Sequence, residues 1–294
     1  MTRNMTGEVS VAEWHIQDGG EIELEEAVEA VDAHIVGGLL SVAVTDGPPR
    51  ILLSNIRGGP VVINQTGGVI TIRHQPAGVA PSGGGGLAGI VGIVDSVIGG
   101  LFGALGGRYA EVAVLLPAPA RASTRTTSAD VMLAGVVDAS AETVSGSLTA
   151  TDIRGSLRMT SVSGAIVAGG IDGRLWLKTV SGEMTIAGAT LTELSAHTVS
   201  GDLVVDAELG EGTHTFRGVS GGMAIRLDPG TSLDLDASTV SGALACGLGE
   251  PEDTSRPGNR RLRVQTGDGR ARLRCHTVSG DLTVVARGET MSAA

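Results

Sequence analysis

The residues of this chain best suited by type and spacing to do chemistry are serines. The tripeptide Val-Ser-Gly begins at Val144, Val162, Val180, Val199, Val219, Val240 and Val278. A serine beside a flexible glycine could suggest a catalytic nucleophile, and "HTVSGDL" is spelled twice, at His197–Leu203 and His276–Leu282. No G-x-S-x-G context is expected around these serines, however, and seven equivalent nucleophiles serve no reaction. The signal is therefore the repetition.

The steps between copies are 18, 18, 19, 20, 21 and 38 residues, the last being twice 19, so one copy is expected to be degenerate or displaced by the insert "EPEDTSRPGN". A drifting period near 19 marks a solenoid. The flanking stretches alternate with period 2. In "GRLWLKTVSG", Leu175, Leu177 and Thr179 share one face and Trp176 and Lys178 the other; "TSLDLDASTVSG" repeats the pattern. Each coil thus holds two half-buried strands, with Ser-Gly at a corner and the valine expected to turn inward. One coil cannot bury its apolar face, but a stack can. The recurrent hydroxyls are expected to satisfy one another along a ladder.

These "TVSGDL" repeats and the preceding "EVAVLLPAPARASTRTTSADV" resemble the bacterial DUF4097 β-strand-repeat proteins, over roughly Ile35 to Gly288. The resemblance implies a parallel β-solenoid and, for some members, an adhesin-like role or a link to cell-envelope stress or antimicrobial-peptide sensing. It brings no catalytic motif.

Composition agrees with a thin, strand-filled core. Only Trp14, Phe102, Tyr109, Trp176 and Phe216 are aromatic, while glycine occurs 46 times. The net charge of −11 argues against general affinity for nucleic acid. Two cysteines, Cys246 and Cys275, make no disulfide framework and read as small core fillers. The first twenty residues lack an apolar run of signal-peptide length, so a cytoplasmic location is expected.

The domain reading has five parts. Residues 1–34 form an acidic N-terminal cap, with nine Asp or Glu and no Lys or Arg between 7 and 33. Residues 35–80 hold opening strands or first coils. Residues 81–107 are a Gly-rich hinge and an amphipathic helix, residues 108–288 the solenoid, and residues 289–294 a tail. In the helix, Ile90, Val94, Val97, Leu101 and Phe102 share one apolar stripe, opposite a face of small residues. Asp95 at its centre argues against a spanning helix. Packing on the solenoid, on a neighbour or on a membrane surface through residues 87–105 all stay open.

Arg261, Arg263, Arg270, Arg272 and Arg274 form the second candidate surface, an anion-facing patch that could meet the acidic segment of another copy end to end. No aromatic interleaves them, which disfavours nucleic acid. No phosphate loop, H-E-x-x-H or C-x-x-C is present. His197 and His276 fall in one register, apparently four coils and about 19 Å apart, too far to share a metal. The sequence thus predicts an all-β, right-handed parallel β-solenoid with coils of about 19 residues and one inserted amphipathic helix. It predicts no catalytic or metal-binding residue, no cofactor and no small-molecule substrate. The expected function is that of a non-enzymatic scaffold or interaction protein that binds a protein partner or itself. The alternative is a peripheral membrane protein in envelope-stress sensing.

Overall fold

Alternating apolar residues give this chain strands with one wet and one dry side, and the strands stack. A computed structural model describes residues 11–24, 27–75 and 107–288. The expected helix, with Ile90, Val94, Val97, Leu101 and Phe102, lies outside the described residues. Every assigned element is a strand, β1 to β25 in chain order.

The chain opens with β1 (Val11–Ile16) and β2 (Gly20–Glu23), makes a coil from β3 (Ala30–Ile35) and β4 (Gly38–Val44), and then runs through β5 (Arg50–Arg57) and β6 (Val61–Thr66). Further coils pair β7 (Val69–His74) with β8 (Tyr109–Leu116), β9 (Arg121–Thr126) with β10 (Asp130–Ala134), β11 (Asp138–Thr143) with β12 (Leu148–Thr151), and β13 (Arg154–Ser161) with β14 (Ile166–Gly169). Next come β15 (Asp172–Ser181) and the long β16 (Met184–Ser200), which serves two successive coils, followed by β17 (Leu203–Leu209), β18 (Gly212–Arg217) and β19 (Met223–Leu227). The last stretch holds β20 (Leu233–Ser241), β21 (Leu244–Cys246), β22 (Glu252–Asp253), β23 (Arg260–Gln265), β24 (Ala271–Ser279) and β25 (Leu282–Ala286).

The stack does not follow chain order at either end. On the first face the parallel order is β7, β3, β9, β11, β13, β15, β16, β18, β24, β20. On the second it is β8, β4, β10, β12, β14, β16, β17, β19, β25, β21. The coil of β24 and β25 is thus inserted between two coils that precede it in the chain, and the coil of β3 and β4 lies between two that follow it. Of the two readings of the 38-residue step, displacement by the insert is the one seen: the chain turns back through β22 and β23 and then fills a gap.

Reversed strands close both ends. At one, β6 lies antiparallel on β7 and β1 on β6, while β5 lies on β8 and β2 on β5. At the other, β23 lies antiparallel on β20 and β22 on β23. Such strands twist and blunt an edge that would otherwise recruit more coils.

The seven corners stand in one row. Gly146, Gly164, Gly182, Gly201, Gly221, Gly280 and Gly242 stack in that order, each approaching the backbone of its neighbour so closely that a Cβ has no room. A Cβ on Gly164 would lie 1.8 Å from the carbonyl oxygen of Gly146. Glycine is therefore required by interchain-like spacing within one chain, as well as by turn geometry. The core between the faces is a ladder of Leu, Ile, Val, Ala and Met, with Phe216 its largest fully buried member.

Candidate interaction surfaces

The corner decides what the repeated residues can do. The residue before each Val is inside: Thr143, Ser161, Thr179, Thr198, Thr239 and Thr277 are all buried. Strict alternation then sends the valine outward, contrary to the sequence expectation. Val162, Val180, Val199, Val219, Val278 and Val240 are between 41% and 50% exposed. The buried hydroxyls are used unevenly: the amides of Gly146 and Gly164 donate to Thr143 Oγ1 and Ser161 Oγ at 3.0 and 2.7 Å, and Thr143 also accepts from Thr126 Oγ1 at 2.9 Å, whereas the hydroxyls of Thr179, Thr198 and Thr277 have no partner among the described residues.

The corner serines do not bond to one another. The hydroxyls of Ser145, Ser163, Ser181 and Ser220 donate to carbonyls of the adjacent coil, Ser163 to Val144 at 3.1 Å and Ser220 to Val199 at 3.3 Å. Ser220 corrects the expectation that no serine lies in a G-x-S-x-G context, because Gly218-Val219-Ser220-Gly221-Gly222 spells it. It nevertheless sits between two strands rather than before a helix, and its hydroxyl is committed like the others.

The arginine patch lies where the last coil meets the reversed strand. Arg261 and Arg263 are on β23, Arg272 and Arg274 on β24, and Arg270 just before β24. Between β23 and β24 runs β20, which carries Asp234 and Asp236 outward. Arg261 Nε donates to Asp236 Oδ1 at 2.8 Å, and Arg263 and Arg274 reach the same carboxylate at 3.8 and 3.6 Å. Arg274 also meets Asp234 at 3.1 Å, and Arg270 meets Glu211 at 2.8 Å. The Arg261 hydrogen bond holds the Asp236 carboxyl below its ordinary pKa, helped by the charges of Arg261, Arg263 and Arg274. Four of the five arginines are thus engaged within the chain, and only Arg272 has no acidic partner within 4.0 Å among the described residues. An open groove of about 590 Å³ runs beside this network, lined by Asp234, Asp236, Glu250, Glu252, Arg263 and Arg274.

The same permuted order corrects the histidine spacing. His197 pairs with Arg217 and Arg217 with His276, so the histidines are two coils apart and about 10 Å by strand spacing. Ser238 lies next in that column, with its hydroxyl 3.0 Å from His276 Nδ1. Among the described residues no group of three or more His, Cys, Asp or Glu is arranged to hold a metal ion. Cys275 is buried and Cys246 half-buried, and burial pushes both thiols above their ordinary pKa, which suits packing rather than reaction.

One feature was not singled out by spacing. Trp176 points outward with the guanidinium carbons of Arg158 and Arg174 5.1 and 5.6 Å from its ring centre. Small residues on the neighbouring coils, Ser123 and Ser140, leave a shallow groove of about 480 Å³ beside it. An aromatic on the outward phase of a strand was its signal in the sequence.

Comparison with protein families matches residues 60–285 to the family described as Toastrack DUF4097. Comparison with curated proteins gives no significant match. Among solved structures, a crystal structure of a candidate cell adhesion protein from Clostridium sporogenes is similar at 9% identity, with 95% of this chain and 100% of that chain covered and a TM-score of 0.22. A crystal structure of a candidate lipid binding protein from Parabacteroides distasonis is similar at 9% identity, with 92% and 96% covered and a TM-score of 0.37. Likenesses this distant carry no functional argument.

Proposed function

The chain belongs to the Toastrack DUF4097 family, and from that premise we propose that it is a non-enzymatic β-solenoid scaffold that binds a protein partner. The observation that carries the reading is the use made of the repeated hydroxyls. Of the corner serines that could have been nucleophiles, Ser145, Ser163, Ser181 and Ser220 give their hydroxyls to the coil alongside. What the molecule offers to its surroundings is shape and regular columns of side chains.

The proposal takes the solenoid as right-handed, in keeping with the strong preference of parallel crossovers, and the protein as cytoplasmic. It assigns partner binding to the apolar residues Ile90, Val94, Val97, Leu101 and Phe102, with the arginine-rich end in support. The pairing of Arg261, Arg263, Arg270 and Arg274 within the chain leaves Arg272 as the one of these five without an acidic partner among the described residues.

The test compares the full chain with a deletion of residues 83–107 in affinity capture and in sedimentation with anionic liposomes. A protein partner retained by the full chain and lost on deletion supports the scaffold. Sedimentation with lipid that the deletion abolishes, and no protein partner, replaces it with the membrane-surface reading.

A further inference from the structure

The six exposed corner valines form a continuous apolar ridge along one edge of the solenoid, in the order Val162, Val180, Val199, Val219, Val278, Val240. With Val144 at its head the row has seven positions and six steps, a length of about 29 Å at strand spacing. A half-exposed valine is unremarkable alone; an unbroken row of them is an exposed apolar strip.

The middle of the ridge carries opposite charge on its two flanks. Two residues before the valines, on the first face, the column reads Glu142, Thr160, Lys178, His197, Arg217, His276, Ser238, so its cations are Lys178 and Arg217 at the centre. Three residues after them, at the start of the second face, it reads Glu183, Asp202, Gly222, Asp281. The two columns keep step: Lys178 and Glu183 flank Val180, His197 and Asp202 flank Val199, and His276 and Asp281 flank Val278. Among the described residues none of Lys178, Arg217, Glu183, Asp202 and Asp281 takes part in an ion pair within 4.0 Å, whereas Arg261, Arg263, Arg270 and Arg274 of the C-terminal end do. Asp202 and Asp281 accept the amides of Gly222 and Ala243 at 2.8 Å, and Lys178 and Glu183 are left without a partner of opposite charge within the described residues.

Symmetry decides what such an edge fits. Suppose a second copy meets it ridge to ridge. A two-fold axis parallel to the solenoid axis brings the basic column of each copy over the acidic column of the other, at the same level. A two-fold axis perpendicular to the solenoid axis, with the copies running in opposite directions, places basic on basic and acidic on acidic. Only the first is electrostatically complementary, and it is isologous, so it closes at two.

We propose that the valine ridge is a self-association surface, through which two copies pair side by side and parallel, with Lys178 of each copy facing Glu183 of the other. The proposal rests on the scaffold reading and adds a surface to it. A strip one ridge wide lies at the small end of specific interfaces, so pairing appears as a reversible, concentration-dependent dimer.

Sedimentation velocity over a concentration series tests it. The full chain is expected to pass from monomer to dimer, and the deletion of residues 83–107 to do the same. Val180→Lys with Val199→Lys, both at exposed positions, should weaken the dimer at least tenfold while circular dichroism stays unchanged. Lys178→Glu alone should weaken it, and Lys178→Glu with Glu183→Lys should restore it, because the swap exchanges the two flanks together. Val199→Cys should cross-link to its own counterpart on oxidation. A chain that stays monomeric throughout, a dimer indifferent to the lysines, or a dimer lost with residues 83–107 overturns the proposal. None of these bears on capture of a different protein through residues 87–105, so the scaffold reading fails or stands by its own test.

Discussion

At the scale of residues, a repeated serine and the glycine beside it carry unequal weight. Ser163 is exposed and gives one hydrogen bond to Val144, so Ser163→Ala is expected to cost at most about 1 kcal/mol. Gly164→Ala has to push the next coil away from a contact of 1.8 Å, and overpacking of that kind costs about 3 kcal/mol. Urea unfolding of the two variants checks the order; an equal or reversed loss would refute the stacked-corner account. The sequence made the repeat legible but misjudged the valine. Thr and Val are both β-branched and nearly equal in size, and hydrophobicity alone assigns the valine to the core. Phase decides otherwise: Leu175, Leu177 and Thr179 point inward in turn, so Val180 points out.

At the scale of elements, strand identity and face were readable from alternation, and stacking order was not. Period-2 patterning says which side of a strand is dry, and it is silent about which strand lies next to it. The insertion of β24 and β25 between β18–β19 and β20–β21 left only a doubled step as its trace. It makes a measurable prediction. Deleting residues 271–288 from an ordinary solenoid would trim the last coil and spare the one before. Here the deletion removes the partner of both β18 and β20. Amide hydrogen exchange should therefore show β20 and β21 losing protection together with the cut, while β13 and β15 keep theirs. Full protection of β20 in the truncated chain would contradict the permuted order. The candidate surfaces were half legible for the same reason. The arginines were found by composition, but Asp234 and Asp236, which neutralise them, come from a strand some 25 to 40 residues earlier that spacing could not bring beside them.

At the scale of the whole molecule, burial of histidines sets an acid limit on stability. His34, His74, His197 and His214 all have pKa values lowered from 6.5, and desolvation is the largest cause for each. In the folded chain they stay neutral at a pH where the unfolded chain binds protons. The unfolded state thus holds more protons below about pH 6.5, and stability falls as pH drops through that value towards the lowered ones. Melting at pH 7.5, 6.5 and 5.5 should show a falling midpoint, with a smaller fall in His214→Met, since His214 stands in the core between Leu194 and Leu273. A midpoint flat across that range would exclude the effect. The permuted coils also bear on how such a molecule is made. A ribosome delivers the chain from its amino end, and a simple coil could wind up behind it turn by turn. This one cannot, because the berth between β18–β19 and β20–β21 stays vacant until residues 271–286 have emerged. Completion waits for residues 271–286, and a chain terminated before them carries an unfilled slot rather than a shorter rod.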